Sequence, residues 1–351
     1  MSLKQFLSAR SDMDSTWLEI PFELNSIGKV PVVGNNWTVR GSLRARQAIR
    51  QAHRQRPFDA LFIHTQTISV FSGDYMAKIP TVLSLDATPL NYDEIAVTYG
   101  DTPHPAAIEW AKLTVHRAVM RNAARFNVWS EWAKGSLVEH YRVAADAVDV
   151  VYPGTNLDAF PAPETKVVPR SGPLRVLFVG GDFKRKGGDL LIEVCQSLGP
   201  EKIQLHLVTS ADVSPRPGVF VYRGVKPHSE ELLERYRNAD VFAFPTRGDA
   251  LALVLGEAMA ASLPIICTRV GGLAEEVLEG ETGYYMDVDD GATLRDRLDR
   301  LYHDRDLLER MARRARRFGE EQFDAKKNVN RIGDTLLRLA HARVPGRARA
   351  N

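Results

Sequence analysis

Short apolar runs alternate with stretches of helical periodicity along most of the chain. A basic helical segment over residues 41–54 leads into the apolar run 61–63, and a second run covers 81–85. The periodicity then predicts a long helix over about 104–124, a strand over 125–129, a helix over 132–141 and a strand over 148–152. Short strands separated by helices predict βα units and a parallel sheet.

Residues 161–173 are rich in proline and polar groups and read as a linker. A second βα series follows, with strands predicted at 174–179, 203–208, 219–222, 241–244 and 264–267. Helices are predicted at 188–198, 230–238, 251–261 and, with breaks, 294–318. The expected organisation is an amino-terminal Rossmann-like domain over 1–155 and a carboxyl-terminal one over 156–325. A helix and basic tail over 326–351 would pack back on the first domain. Two open α/β layers joined by one linker predict a cleft faced by the carboxyl ends of both sheets. The start departs from this scheme. A helix at 3–9 and the segment 16–20 stand where an apolar strand and a glycine turn are expected. The amino-terminal sheet should therefore lack its first strand, either because the chain start is truncated or because that domain is altered.

Composition adds little beyond an ordinary globular class. Of 351 residues, 44% are hydrophobic and 26% charged, which suits about two domains. A net charge of +2 gives no global field toward nucleic acid or membrane. Arg44, Arg46, Arg50 and Arg54 share a helical spacing and read as a solvated face. Cys195 and Cys267 stand in apolar surroundings without metal-site spacing, so they read as reduced core thiols. The first residues lack the apolar centre of a signal peptide, and no run is long enough to span a membrane, so the cytoplasm is the expected compartment.

Candidate chemistry gathers in the second series. Gly180 and Gly181 follow a strand and would let backbone approach a ligand. Lys184, Arg185 and Lys186 put positive charge at that strand end, a combination that suits a diphosphate. Alone, the segment reads as well as a basic surface turn. It has neither nicotinamide-cofactor nor P-loop glycine spacing. Asp249 stands just before a predicted helix whose first amides would bind an anion, and it also reads as the cap of that helix. Glu257, two turns into the expected helix, is a carboxylate among apolar residues. It needs a donor, which ribose hydroxyls or a core partner would supply. Gly271, Gly272 and Glu275 form another strand-end turn, with Glu275 expected to cap or position it. In the first series, Asp86 and His64 fall at strand ends. Each also reads as a turn or loop residue.

These segments, in this order, resemble the family 4 retaining glycosyltransferases of GT-B fold, also called glycosyl transferases group 1. Asp249, seven residues, then Glu257 in Glu-Ala-Met-Ala match that family's donor signature, and Gly271, Gly272 and Glu275 match its next loop. Gly181 through Lys186-Gly187 match its glycine turn, and residues 151–158 resemble its interdomain hinge. The resemblance covers about residues 125–325. It implies transfer of a sugar from a nucleotide-diphosphate sugar to an acceptor hydroxyl, with no cofactor and no metal. Arg185 and Lys186 would bind the diphosphate. Asp249, with the amides of Ala250 and Leu251, would face the donor sugar. Glu257 would accept from the ribose and Val225 would flank the base. Asp86 stands where the family often has a histidine and is a candidate acceptor-side group. The acceptor (a glycan, a lipid-linked sugar or a small molecule) is left open, as is a peripheral membrane contact; nucleic acid is not expected. Asp249 stands where the family usually has Glu, and Ala252 and Ser262 where it usually has glycine. A non-catalytic protein of the same fold, binding a nucleotide sugar or a partner, is the alternative. An epimerase or phosphorylase on this architecture is disfavoured by the helix pattern and by the lack of a pyridoxal lysine context.

Overall fold

The computed structural model describes residues 2–22, 36–100, 105–160 and 168–342. In chain order the elements are α1 (Ser2–Ser8), α2 (Trp37–Gln55), β1 (Leu61–His64), α3 (Gly73–Lys78), β2 (Thr81–Leu85), α4 (Pro89–Ile95), α5 (Ala106–Met120), β3 (Arg125–Val128), α6 (Glu131–Tyr141) and β4 (Val148–Val150). They continue with β5 (Leu174–Val179), α7 (Gly188–Leu198), β6 (Ile203–Val208), β7 (Val219–Tyr222), α8 (Glu230–Asn238), β8 (Val241–Phe244) and α9 (Leu253–Ala260). The last are β9 (Ile265–Thr268), β10 (Gly283–Met286), α10 (Gly291–His303), α11 (Arg305–Gln322) and α12 (Ala325–Ala342).

The chain divides into two compact units. One takes in Met1–Glu94, Thr102–Tyr152 and Lys326–Asn351, the other Ile95–Asp101 and Pro153–Ala325.

In the amino-terminal unit β1, β2, β3 and β4 pair in that order, all parallel. Among the described residues no strand precedes Leu61. Residues 23–35 and 101–104 lie outside the described residues, and so does the start of the long helix expected from 104. That helix ends at Met120, earlier than its periodicity suggests. Asn122 turns back on it, donating from Nδ2 to Ala118 O at 3.0 Å, and the Asn122 N–H bonds Val119 O in a tightened last turn. Leu83, Leu85, Met120, Phe126, Val128 and Leu137 form the core. The unit also contains α12. Asn328 Nδ2 donates to Tyr152 O at 3.1 Å, and Arg10 pairs with Asp334 at 2.8 Å.

The carboxyl-terminal unit holds a six-stranded parallel sheet in the order β10-β9-β8-β5-β6-β7. Every residue of β8 and of β9 is buried, as expected for central parallel strands covered on both faces. From β5 the chain builds outward through β6 and β7, then returns to place β8, β9 and β10 on the other side. The reversal between β5 and β8 is a topological switch point. In such sheets ligands bind outside the carboxyl ends of the strands at that point. Of the expected linker, residues 161–167 lie outside the described residues.

Cys195 and Cys267 are both buried, and burial pushes both thiols up. No described helix is long and apolar enough to cross a membrane.

Candidate active site

The loop after β5 is a tight turn. Asp182 accepts from the Lys186 N–H at 2.9 Å through its carbonyl and from Arg185 Nε at 2.8 Å through its carboxylate. Gly187 closes the turn at φ 75°, and a Cβ there would lie 1.9 Å from Pro245 O, so only glycine fits. At Gly181 a Cβ would meet nothing within 4 Å, which leaves the backbone open on that side. Gly180 is closed by the Phe178 ring, 2.9 Å from where its Cβ would stand.

The loop after β8 is knitted to this turn. Arg247 N–H donates to Arg185 O at 2.7 Å, and Arg185 Nη1 donates back to Gly248 O at 2.7 Å. Lys186 Nζ meets the Asp249 carboxylate and lies 5.1 Å from the centre of the Phe244 ring. Burial lowers the Lys186 pKa, while the Asp249 charge opposes that shift. Lys184 is exposed, and its carbonyl accepts from the Gly187 N–H and from Arg247. The Tyr99 ring covers the Arg185 guanidinium at 4.1 Å. Arg247 itself is neutralised by Asp189 and Asp289, at 2.8 and 2.7 Å.

Asp249 is not a helix cap. The helix begins two residues later than its apolar run suggests, with Ala252 as N-cap and no side-chain cap of its own. The carboxylate that serves this end is Glu276, whose Oε2 accepts from the Ala252 N–H at 3.3 Å. The sequence suggested Glu275 as the residue that caps or positions its own glycine turn, and nothing in it pointed to Glu276 as a partner of this helix end. Glu275 ends the 3-10 turn Gly271–Glu275, and the fully buried neighbour makes the contact. Burial, then the charges of Asp249 and Glu275, hold the Glu276 carboxyl well above its usual range, partly offset by the Ala252 N–H. Gly271 takes φ 50° with its Cβ position 2.3 Å from Asp249 O, and the Gly272 N–H donates to Ala250 O at 2.8 Å. The loops after β5, β8 and β9 thus form one continuous structure, with Ala250 and Leu251 buried in its middle.

Glu257 lies one turn into α9 rather than two. Its Oε2 accepts from Tyr236 Oη at 2.7 Å, and its Oε1 stands 3.8 Å from His228 Nδ1. Burial raises its pKa, and these two partners oppose the rise. A core tyrosine therefore satisfies one of the two oxygens. Neither Tyr236 nor His228 was singled out from the sequence; the only local signal was an aromatic in an amphipathic helix. Val225 is half-buried just past β7.

In the amino-terminal unit Asp86 follows β2. Its Oδ1 accepts from the Ala87 N–H at 2.9 Å and its Oδ2 from Tyr92 Oη at 2.5 Å, which is the turn arrangement. His64 stacks on Trp129 with ring centres 5.2 Å apart. The basic helix α2 is more than a solvated face: Arg44 donates to Pro21 O at 2.6 Å, and Arg46 pairs with Asp74. Among the described residues no three His, Cys, Asp or Glu side chains group as metal ligands.

Residues 15–159 match the family described as Glycosyltransferase Family 4, and residues 163–318 match Glycosyl transferases group 1. A D-inositol 3-phosphate glycosyltransferase of Arthrobacter sp. (strain FB24) is 26% identical over 281 residues, covering 74% of this chain and 65% of the relative. The match thus spans just under two thirds of that protein's length. A solved sucrose-phosphate synthase from Thermosynechococcus elongatus is similar at TM-score 0.70 and 20% identity, over 86% of this chain and 78% of that one. Anabaena Alr3699/HepE, solved in complex with UDP-glucose, is similar at TM-score 0.65 and 16% identity, over 84% and 82%. These likenesses show the fold, GT-B. With consecutive matches to both halves of the family and the strand-end loops described above, the chain belongs to the group 1 / family 4 glycosyltransferases.

Proposed function

We propose that the protein transfers a sugar from a nucleoside-diphosphate sugar to an acceptor hydroxyl, with retention at the anomeric carbon and without a metal ion. The observation that carries this reading is the fused set of loops at the β5/β8 switch point. Lys186 and Arg185 stand there beside the open backbone of Gly181. When the anomeric C–O bond breaks, negative charge grows on the departing diphosphate and positive charge on the sugar. Fixed cations aimed at the phosphates lower that barrier more than a strong nucleophile would. Lys186 and Arg185 supply them. Asp249, with the amides of Ala250 and Leu251, faces the donor sugar. Glu257 accepts from the ribose with the oxygen that Tyr236 does not take, and Val225 flanks the base. The acceptor oxygen bonds to the anomeric carbon on the face the diphosphate leaves, and a phosphate oxygen receives the hydroxyl proton. Asp86, standing where the family often has a histidine, is the candidate acceptor-side group. That Alr3699/HepE was solved with UDP-glucose supports a donor of this class.

Calorimetry with a panel of nucleoside diphosphates tests the donor. Lys186→Ala should weaken the best of them by about 1.5–3 kcal/mol, the range for hydrogen bonds to charged groups. An unchanged affinity overturns the assignment. Turnover in EDTA tests the metal: loss of activity that magnesium or manganese restores would refute metal independence. Tight donor binding with neither hydrolysis nor transfer would favour a binding protein over an enzyme.

A further inference from the structure

The sheet of the amino-terminal unit carries a polar face. Ser84 lies beside Asn127 in the β2–β3 register, and Asn127 beside Asp149 in the β3–β4 register. Arg125, two residues before Asn127, shares that face. Parallel sheets are ordinarily apolar on both faces, so a row of polar side chains across three neighbouring strands calls for an explanation. Asn127 is 3% exposed. Its Oδ1 accepts from Ser84 Oγ at 3.2 Å, while its Nδ2 is buried and has no partner among the described residues. Buried polar atoms are nearly always paired, because an unpaired one carries its full desolvation cost.

That amide lines a cavity of about 230 Å³ bounded on another side by α12. Arg331, Thr335 and Arg338 stand on one face of that helix, at positions i, i+4 and i+7. Val82, Val151 and Ile332 contribute apolar walls. Of the lining carboxylates, Asp149 pairs with Arg125 at 2.9 Å, and Asp334 pairs at 2.8 Å with Arg10, which it shares with Asp12 at 2.7 Å. The two arginines of α12 have no such pairing. Arg331 donates to Val150 O at 3.3 Å and Arg338 to Thr335 Oγ1 at 2.8 Å. Neither has a carboxylate partner among the described residues. One cavity therefore brings together two guanidinium groups that stand in no ion pair among the described residues and one orphaned amide donor.

We propose that this cavity binds a small oxyanion, with Arg331 and Arg338 meeting its charge and Asn127 Nδ2 donating a further hydrogen bond. Guanidinium groups are suited to phosphate and carboxylate oxygens because their fork of N–H donors matches the spacing of those oxygens. The unpaired amide donor favours an acceptor over a neutral apolar guest. No residue of this site belongs to the proposed donor loops, so the assignment stands apart from the proposed function.

The test uses the full chain carrying Lys186→Ala, which weakens phosphate binding at the donor loops, so that binding lost with Arg338 is read against a low background. Inorganic phosphate and acetate are each titrated by calorimetry. One of them should bind, and Arg338→Gln added to this background should weaken it about tenfold while the melting temperature without ligand stays unchanged, since Arg338 is exposed. Asn127→Asp, which puts a negative charge against the anion, should abolish binding. Stronger binding of phosphate would assign a phosphate ligand, and stronger binding of acetate a carboxylate. If neither anion binds, or if Arg331→Gln and Arg338→Gln leave affinity untouched, the cavity holds only water and the proposal fails.

Discussion

Lys186 and Asp249, 63 positions apart in sequence, form an ion pair whose side chains are only 16% and 9% exposed. The pair joins two loops, and it also sets the charge of the lysine. Burial depresses the Lys186 pKa below 10.5, and the Asp249 carboxylate pulls it back. A diphosphate needs the ammonium form, so affinity should fall as pH rises through that depressed value. Asp249→Asn removes the opposing attraction, and the fall should move to lower pH. Pyrophosphate titrations of both proteins across a pH series decide it; a fall at the same or a higher pH in the variant would contradict the coupling.

Tyr99 reaches the basic turn from far back in the chain and covers the Arg185 guanidinium at 4.1 Å, as a positioning residue. Arg185 is fixed from two other sides by Asp182 and Gly248 O. Tyr99→Ala should cost about 0.5–2 kcal/mol of diphosphate binding, the range of such ring–cation contacts. Tyr99→Phe keeps the ring and should bind normally. If phenylalanine is as damaging as alanine, the hydroxyl matters and the ring does not.

Glu276 predicts an acid-side signature in stability. Its folded pKa is raised well above 4.5 by burial. Once pH passes 4.5 the unfolded chain releases this proton while the folded chain keeps it. The folded state then binds more protons, and stability falls as pH rises toward the folded value. Glu276→Gln keeps an acceptor for the Ala252 N–H but cannot ionise. Its melting temperature should decline less between pH 4.5 and neutrality than that of the parent, and parallel curves would show that Glu276 does not titrate differently on unfolding.

Ser262 holds φ 57°, a left-handed backbone that glycine adopts without penalty. It is buried just past α9. Ser262→Gly should stabilise the protein by about 0.5–1 kcal/mol, since relief of the Cβ strain exceeds the added chain entropy. Chemical denaturation reads the change as a higher midpoint with the same slope. A lower midpoint would mean that the hydroxyl holds something in place.

The carboxyl-terminal unit was legible because its strands are mostly apolar runs, even where Arg175, Gln204 and His206 interrupt them, and its helices follow the 3.6-residue period. The observed β5, β6, β7 and β8 begin and end where those runs do. Contacts between distant loops were not legible. Nothing near Ala252 in sequence announces that Glu276 serves its amide, because local periodicity contains no term for a partner on another strand-end loop. The same holds for Tyr236 and Glu257, which meet only because α8 and α9 are neighbours in space. The early end of α5 came from Asn122, whose tendency to bond the preceding turn competes with the apolar pattern around it.

The amino-terminal unit is closed by a helix that follows the second unit in sequence. Asn328 bonds the carbonyl of Tyr152 across a separation of 176 residues, and Arg331 reaches Val150 across 181. Contacts of such range carry a large loop-closure entropy and slow folding. On the ribosome the first unit must therefore wait, incomplete, until the whole second unit has been synthesised. Until α12 emerges, the row formed by Ser84, Asn127 and Asp149 has no lid, and a nascent chain in that state is one that chaperones would hold.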